Sequence, residues 1–310
     1  MATSLLTTVL AWISVVAFLA GVLAHRRDER LGRYLTAGAW AVFGVFWGTL
    51  IPHFWYAKAS FIEAGLAAIA IPACIYTGYL LLSGRDSLIV LSRAVAIMGV
   101  LYLPATTLDA LFEPLIEIVT LQAKWGIELL GYQPTVVENE AGVRSILLFN
   151  PGTEAARSTE ILLACTGLGS MSILAGLILA VDASPDRKAK ALAVSVPVIW
   201  VLNFVRNVFI AAAFGGQWFQ VFVPQVIGVF GATGTSPELA SYYIADKVLA
   251  QSASVVALVG ILLLVLRFVP ELKSVVVDVL YLVTGDEYDL GGREPPRGGV
   301  RADGGEPNEE

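Results

Sequence analysis

The chain has 310 residues, of which 56% are hydrophobic and only 15% charged, with a formal net charge of −6 and a mean hydropathy of +0.73. Soluble domains carry about 25% charged and about 45–50% apolar residues, so this composition excludes a soluble enzyme, a nucleic-acid-binding protein and a disordered chain. The polypeptide is expected to cross a membrane several times.

Seven segments are apolar and long enough to span a bilayer, which takes about 20 residues at ~1.5 Å each. The first lacks a basic start and a small-residue cleavage site, so it is interpreted as a retained helix rather than a signal peptide. The sequence therefore predicts an all-α polytopic membrane protein with about seven transmembrane helices, at roughly 4–24, 34–52, 61–82, 88–106, 160–181, 190–214 and 241–269.

Lysine and arginine collect in every second loop, and such loops face the cytoplasm. The opposite loops carry only Lys58 and a few scattered cations in one long segment. We therefore expect the N-terminus outside and the C-terminus in the cytoplasm. The residues behind this assignment are Arg26, Arg27, Arg30, Arg33, Arg85, Arg93, Arg187, Lys188, Lys190, Arg267 and Lys273.

The longest loop, about 106–159, is expected to face outward and to be structured. Residues 108–130 repeat with helical periodicity, which predicts an amphipathic helix in the membrane interface. Two short apolar runs, 134–138 and 143–149, flank a turn-forming stretch and predict a β-hairpin. The apolar side of this helix consists of Leu108, Leu111, Phe112, Leu115, Val119 and Trp125. Its acidic side consists of Asp109, Glu113 and Glu117. The acidic side is either a solvated face or, alternatively, a surface that attracts a lipid amine.

Four regions follow from this pattern. Four N-terminal transmembrane helices occupy 1–106, and an extracellular interfacial helix with a hairpin occupies 107–159. A three-helix catalytic core is expected over 160–270. A cytoplasmic tail over 271–310, rich in Gly, Pro and charge, is expected to be disordered from about residue 286.

Polar side chains inside a bilayer are costly and each needs a reason. Arg206 is flanked by apolar residues, about 13 Å from the end of its helix. Cys165 lies four residues into the fifth segment, where the helix dipole and a nearby cation would favour its thiolate. Lys247 lies in the outer turns of the seventh segment. Taken singly, each has a structural interpretation: an Arg bound to carbonyls, an inert packed thiol such as Cys74, and a snorkelling Lys.

The order of the three residues along the chain brings them to one side of the membrane. The fifth, sixth and seventh segments run inward, outward and inward. Cys165 comes early, Arg206 late and Lys247 early, so all three approach the outer face. This pattern fits a thiolate nucleophile flanked by cations.

At these residues the sequence resembles the exosortase/archaeosortase family of membrane-embedded cysteine transpeptidases, most closely its haloarchaeal branch. The family's two best-known blocks stand here as Cys165-Thr166-Gly167-Leu168-Gly169-Ser170 and Asn203-Phe204-Val205-Arg206. The match covers about 130–270. One position departs from the pattern: the third catalytic residue is usually His or Arg, and here the nearest cation is Lys247, which lacks the two-pronged geometry of guanidinium.

The resemblance implies roles for these residues. Cys165 would be the nucleophile, Arg206 would stabilise the thiolate or the oxyanion, and Lys247 would donate a proton or serve as a third cation. Asn203 would orient Arg206 or supply an oxyanion donor. Thr166 and Ser170 would support the site.

The resemblance also implies partners. The substrate would be the C-terminal signal of a secreted surface (S-layer) protein, cut through a thioester and transferred to a membrane lipid amine at the outer face. No cofactor and no nucleic acid is expected as a partner. A metal site is not expected either, because the two histidines, His25 and His53, are too far apart to bind one metal ion.

Two other classes of function stay open on the sequence alone. Arg206 and Lys247 would also suit an anion path in a transporter or channel. The chain lacks the internal repeats and paired broken helices typical of transporters. A non-catalytic scaffold for surface-layer proteins is the other alternative.

Overall fold

The computed structural model describes residues 5–57, 61–231 and 234–289, and the described chain is mostly helical. Lys58 and the tail beyond residue 289 lie outside the described residues. The helices are α1 (Leu5–His25), α2 (Glu29–Pro52, continued by a π-helical turn, His53–Ala57), α3 (Phe61–Leu82), α4 (Leu88–Thr107), α5 (Asp109–Leu129), α6 (Leu168–Ala180), α7 (Pro185–Gly215), α8 (Val223–Phe230), α9 (Leu239–Tyr243), a π-helix (Ile244–Ala250), α10 (Gln251–Phe268) and α11 (Leu272–Thr284). Helix α9, the π-helix and α10 form one continuous rod, Leu239–Phe268, called the last span below.

Within residues 5–57, 61–231 and 234–289, six helices are long and apolar enough to cross a membrane: α1, α2, α3, α4, α7 and the last span. The prediction of a single helix over 160–181 is wrong. Its first residues belong to a strand, a 3₁₀ turn follows at Leu163–Thr166, and only the 13 residues of α6 are α-helical. Gly167 separates turn from helix with φ 75°, a left-handed conformation that breaks a helix. Hydropathy cannot detect such a break because the apolar residues continue through it.

The predicted hairpin is confirmed and is extended by a third strand. Strands β1 (Thr135–Val137), β2 (Ile146–Phe149) and β3 (Arg157–Glu160) form an antiparallel sheet in the order β1-β2-β3. Asn139 closes the first turn, where its side-chain oxygen accepts hydrogen bonds from the backbone N–H groups of Ala141 and Val143. Both pairings place β2 at the centre of the sheet.

Helix α5 forms where the periodicity predicts it, but a different face is buried. Ile116, Val119, Ala123 and Ile127 pack into a core shared with the sheet and α7. Of the expected apolar face, Leu108, Leu111 and Trp125 are exposed, whereas Val119 is buried. Apolar residues occur on nearly every side of this helix, so the sheet and α7, rather than the periodicity, select the buried face.

Helix α6 lies against α4 at very short range. A Cβ atom at Gly176 would lie 2.6 Å from the backbone oxygen of Ala94. At its C-terminal end, the Arg93 guanidinium donates to the carbonyl of Ala180 (2.9 Å), which occupies one of the orphan acceptors of a helix end. These contacts fix the position of α6 along α4, and with it the position of the turn that precedes α6.

Ion pairs connect the loops at the opposite end of the bundle. Four basic side chains pair there with acidic residues of neighbouring loops and of α11. Helix α11 is held by Asp278, whose side chain is 1% exposed and accepts from Arg85 (3.2 Å). The pairs are Arg33–Asp86, Arg85–Asp278, Arg93–Asp182 and Arg187–Glu271.

Replacing Gly176 with Ala tests the α4–α6 contact. The new methyl group would overlap Ala94 and Met98, and overpacking of this kind costs about 1–3 kcal/mol. We expect the melting temperature in detergent micelles to fall by several degrees. Gly260→Ala is the matched control, because a Cβ there meets nothing within 4 Å and Ala is the better helix former. Equal melting temperatures for the two variants would contradict the close contact.

Candidate active site

Cys165 lies in the 3₁₀ turn Leu163–Thr166 (the Cys165 turn), not inside a helix as the sequence predicts. Its N–H donates to the carbonyl of Leu162 (2.8 Å), and the residue is partly buried. Thr166 is buried and connects the turn to α6, because its hydroxyl donates to Leu163 (2.7 Å) and accepts from the N–H of Leu168 (3.3 Å). The thiol therefore precedes the N-terminus of α6, the end at which a helix dipole favours negative charge.

Two asparagines of α7 hold the Cys165 turn. The side-chain amides of Asn203 and Asn207 both donate to the carbonyl oxygen of Cys165, at 2.5 and 2.7 Å. Residues four apart share one helix face, so a single face of α7 supplies both donors. Asn203 therefore binds the backbone of the Cys165 turn, whereas the family resemblance implied that it orients Arg206 or donates to an oxyanion.

Gly167 makes the close fit between this turn and α7 possible. A Cβ at this position would lie 3.1 Å from the Cγ atom of Asn203, and its φ of 75° suits glycine. Ser170, the last residue of the first predicted block, is exposed in the first turn of α6. The structure thus places Thr166 and Asn203 at the turn and Ser170 at its edge.

Arg206 and Lys247 meet at a shared carboxylate. The Arg206 guanidinium donates to Oδ1 of Asp246 (2.6 Å), and the Lys247 ammonium lies 3.4 Å from Oδ2. The hydroxyl of Tyr242 donates to the same Oδ2 (3.3 Å). The Asp246 side chain is 9% exposed, against 28% for Arg206 and 30% for Lys247. The two cations predicted from the sequence are therefore joined by an acid.

Tyr242 interacts electrostatically with residues beyond Asp246. It lies within electrostatic range of both Cys165 and Arg206. Arg206 lies between the two asparagines along α7, about 60° around the helix from Asn203. The three residues predicted to converge are therefore brought to the same end of the bundle.

The last span is attached to α7 and to the sheet. The buried hydroxyl of Ser241 donates to the carbonyl of Ala213 (2.8 Å) and accepts from the N–H of Phe219 (3.1 Å). Arg157 of β3 makes a two-pronged ion pair with Glu238, at 3.0 and 3.1 Å. The last span, which carries Asp246 and Lys247, is thus attached both to α7 and to the sheet.

The acidic row of α5 contributes no contact to this charged group. Glu117 accepts from the backbone N–H of Arg144 and so supports the loop between β1 and β2. Asp109 and Glu113 are exposed. Both interpretations of this row, a solvated face and an attraction for a lipid amine, require such exposed side chains.

Three residues of the site were missed by the interpretation of the sequence. Asn207 stands four residues after Asn203, a spacing that places two amides on one helix face. Tyr242 and Asp246 have the same spacing in the last span. An acid within an apolar span is itself a functional signal, and this signal could have identified Asp246.

These features define the class: a multi-pass membrane protein in which a thiol, a guanidinium and an ammonium group lie towards one end of the bundle. Residues 9–237 match the transmembrane exosortase family. The chain belongs to the exosortase/archaeosortase family and is thus an enzyme of the cysteine transpeptidase type. This membership decides against the transporter and scaffold alternatives.

Two relatives resemble the chain over most of its length. Archaeosortase A of Haloferax volcanii is 46% identical over 296 residues, covering 92% of this chain and 97% of the relative. Archaeosortase A of Natronomonas pharaonis is 44% identical over 282 residues, covering 89% of each chain. No solved structure matches the chain.

The substitution Asn207→Asp tests the hydrogen bond from α7 to the Cys165 turn. A carboxylate has nearly the same shape but cannot donate, so two oxygens would face each other where 2.7 Å now separates donor and acceptor. Asn203 still donates to this oxygen, so the variant loses one hydrogen bond, which contributes about 0.5–1.5 kcal/mol, and we expect a correspondingly lower melting temperature in micelles. The exposed Asn150, at φ 49° in a turn, provides the control Asn150→Asp, which should be near neutral. Similar melting temperatures for the two variants would mean that the bond does not support the turn.

Proposed function

We propose that this protein cleaves the C-terminal sorting signal of secreted surface proteins and transfers the new C-terminus to a membrane lipid amine. The observation that carries the proposal is the grip of α7 on the Cys165 turn. One helix holds the carbonyl of Cys165 through Asn203 and Asn207 and also supplies Arg206. Helix α7 thereby holds the turn of the nucleophile and also carries its charge-stabilising group, which provides the fixed geometry that positional catalysis requires.

In the first half-reaction the Cys165 thiolate attacks the carbonyl carbon of the scissile peptide bond. Arg206 balances the negative charge, first on sulfur and then on the tetrahedral oxyanion. When the intermediate collapses, the C–N bond breaks and the leaving amine takes a proton from the Lys247 ammonium. The C-terminal membrane anchor departs, and the protein stays on Cys165 as a thioester.

In the second half-reaction the amine of a lipid headgroup attacks the thioester carbonyl. The amide bond forms, its extra proton passes to the neutral Lys247 amine, and Cys165 leaves as a thiolate. Protons and charge are then restored, so the cycle needs no external base. Lys247 accounts for the proton of the attacking amine, for which no histidine is available nearby in the sequence.

The family resemblance supports the class of substrate. Signals of this family combine a short Pro-Gly-Phe-type motif, a transmembrane helix and a basic end. Such a helix already holds its scissile bond near a membrane face, which supplies proximity without a deep pocket. An S-layer glycoprotein is a suitable substrate, and a lipid with an amine headgroup is a suitable acceptor.

The distribution of charge supports an outward-facing site. The ion pairs that join the basic loops lie at the end of the bundle opposite the Cys165 turn. Basic loops face the cytoplasm in most membrane proteins. The proposed active site then lies at the outer face, with the N-terminus outside and the C-terminus in the cytoplasm.

Replacing Cys165 with Ala should abolish processing of a secreted reporter that carries a C-terminal sorting signal, while the variant's level in the membrane stays normal. Immunoblots of reporter size, with lipid labelling, measure the outcome. Cys74→Ala is the matched control, since Cys74 is buried in the core of α1–α4, and it should process almost normally. Full processing by Cys165→Ala would refute the thiol mechanism, and a strong loss in Cys74→Ala would indicate the other thiol.

Lys247 offers a graded test of the proton donor. Lys247→Ala removes both proton and charge and should slow processing by about 10²-fold, the lower range for general acid catalysis. Lys247→Arg keeps the charge beside Asp246 but gives up a proton poorly, so its rate should fall between those of Ala and the native enzyme. Equal rates for the Arg and Ala variants would reduce Lys247 to a membrane anchor.

A further inference from the structure

Asp246 occupies a position that the proposed reaction does not use. Its two carboxylate oxygens accept from Arg206 on one side and face Lys247 and the Tyr242 hydroxyl on the other. The side chain is 9% exposed, and buried carboxylates of this kind are retained only where they are paired. The contacts of Asp246 therefore extend to both cations of the site at once.

The local helix geometry brings these contacts about. Asp246 and Lys247 lie in the π-helix Ile244–Ala250 within the last span. Such segments are rare and are often found at functional sites. Adjacent residues of a regular helix point about 100° apart, yet here both side chains serve one cluster. The hydrogen bond from Ser241, just before this segment, to Ala213 of α7 fixes the position of the π-helix along α7 relative to Arg206.

The charges of the cluster add up to one positive charge. Arg206 and Lys247 contribute two, and Asp246 removes one. A single thiolate at Cys165 then makes the set neutral, which matters because charge imbalance is expensive in a low-dielectric region. With two uncompensated cations the thiolate would be held more tightly and would be a poorer nucleophile.

We propose that Asp246 is a positioning residue of the active site: it holds the Arg206 guanidinium and the Lys247 ammonium on one acceptor and offsets one of their charges. The thiolate of Cys165 then completes a neutral set. This inference rests on the proposed function, since it concerns how that nucleophile is prepared. Asp246 acts through its two cations and not by contact with the substrate.

Other charged groups near the site are paired among themselves. On α5, which also packs against the Cys165 turn, Lys124 pairs with Glu128. On β3, Arg157 pairs with Glu238. Tyr242 is the further titratable group facing the cluster from the last span.

The test measures alkylation of Cys165 by iodoacetamide across a pH series, in the full-length Cys74→Ala protein in detergent micelles. Cys165 is then the only cysteine of the chain. Asp246→Asn removes the charge but keeps an acceptor for Arg206, so the pH midpoint of alkylation should fall by about one unit. Above the midpoint, the alkylation rate should be about threefold lower, because a more stabilised thiolate is less nucleophilic.

The control Asp182→Asn removes an acid whose side chain is 90% exposed at the other end of the bundle, and it should leave the midpoint unchanged. Lys247→Gln should move the midpoint upward by about one unit, and it serves as a second test if Asp246→Asn fails to accumulate. A midpoint that stays or rises in Asp246→Asn, or stays or falls in Lys247→Gln, would overturn the proposal.

The failure of this inference can be separated from failure of the proposed function. Alkylation needs no substrate, so the midpoints of the Asp246 and Lys247 variants are measured whether or not sorting signals are cut. A reporter that is processed by Cys165→Ala defeats the proposed function alone. Unmoved midpoints beside an inactive Cys165→Ala defeat the role of Asp246 alone.

Discussion

Two amide groups directed at one carbonyl oxygen determine most of the site. The carbonyl of Cys165 belongs to a 3₁₀ turn that cannot satisfy it within a helix, and Asn203 and Asn207 do so from α7. Inside a membrane protein an unsatisfied backbone group is expensive, and irregular backbone is tolerated where protein supplies the partners. The same bonds fix the distance between the turn and the helix that carries Arg206. Removing either amide therefore disturbs both the fold of the turn and the arrangement of the charges.

The charged group is constructed differently from the turn. Two membrane-crossing elements supply its residues, Arg206, Asp246 and Lys247. Each of these charged side chains alone would be energetically unfavourable in the bilayer. Together they form a paired set in which every charge has an opposite neighbour within 3.4 Å. Anchoring of the last span through Ser241 and Glu238 keeps this set in register with the thiol. Stability and chemistry thus depend on the same contacts.

The sequence predicts the long spans well because a bilayer imposes length and apolarity on each of them. The helix boundaries of α3 and α4 lie within a residue of the prediction. The hairpin is also predictable, since Asn139 marks its turn by a local mechanism. Residues 160–167 are not, because their apolar composition fits a buried strand, a turn or a helix equally well. Which side of α5 is exposed is likewise not predictable from the sequence, because the packing of the sheet and α7 selects the buried side.

For the site, the predicted convergence of Cys165, Arg206 and Lys247 rests on chain direction alone, and the structure brings these residues to one end of the bundle. The partners that hold them were harder to find. Asn207, Asp246 and Tyr242 act through hydrogen bonds between elements, and such pairings leave only weak i, i+4 spacings in the chain. The sequence alone therefore predicted which end of the bundle these three residues share, but not the residues that hold them there.

Helix α6 is too short to cross a bilayer by itself. Its 13 residues cover about 20 Å, against a hydrocarbon core of about 30 Å. The Cys165 turn and strand β3 precede α6 in the chain, so the thiol lies outside regular helix and its backbone is held by side chains of α7. The location of the sulfur is therefore fixed from outside its own segment, so a substitution in α7 can displace the thiol without altering any residue of the turn.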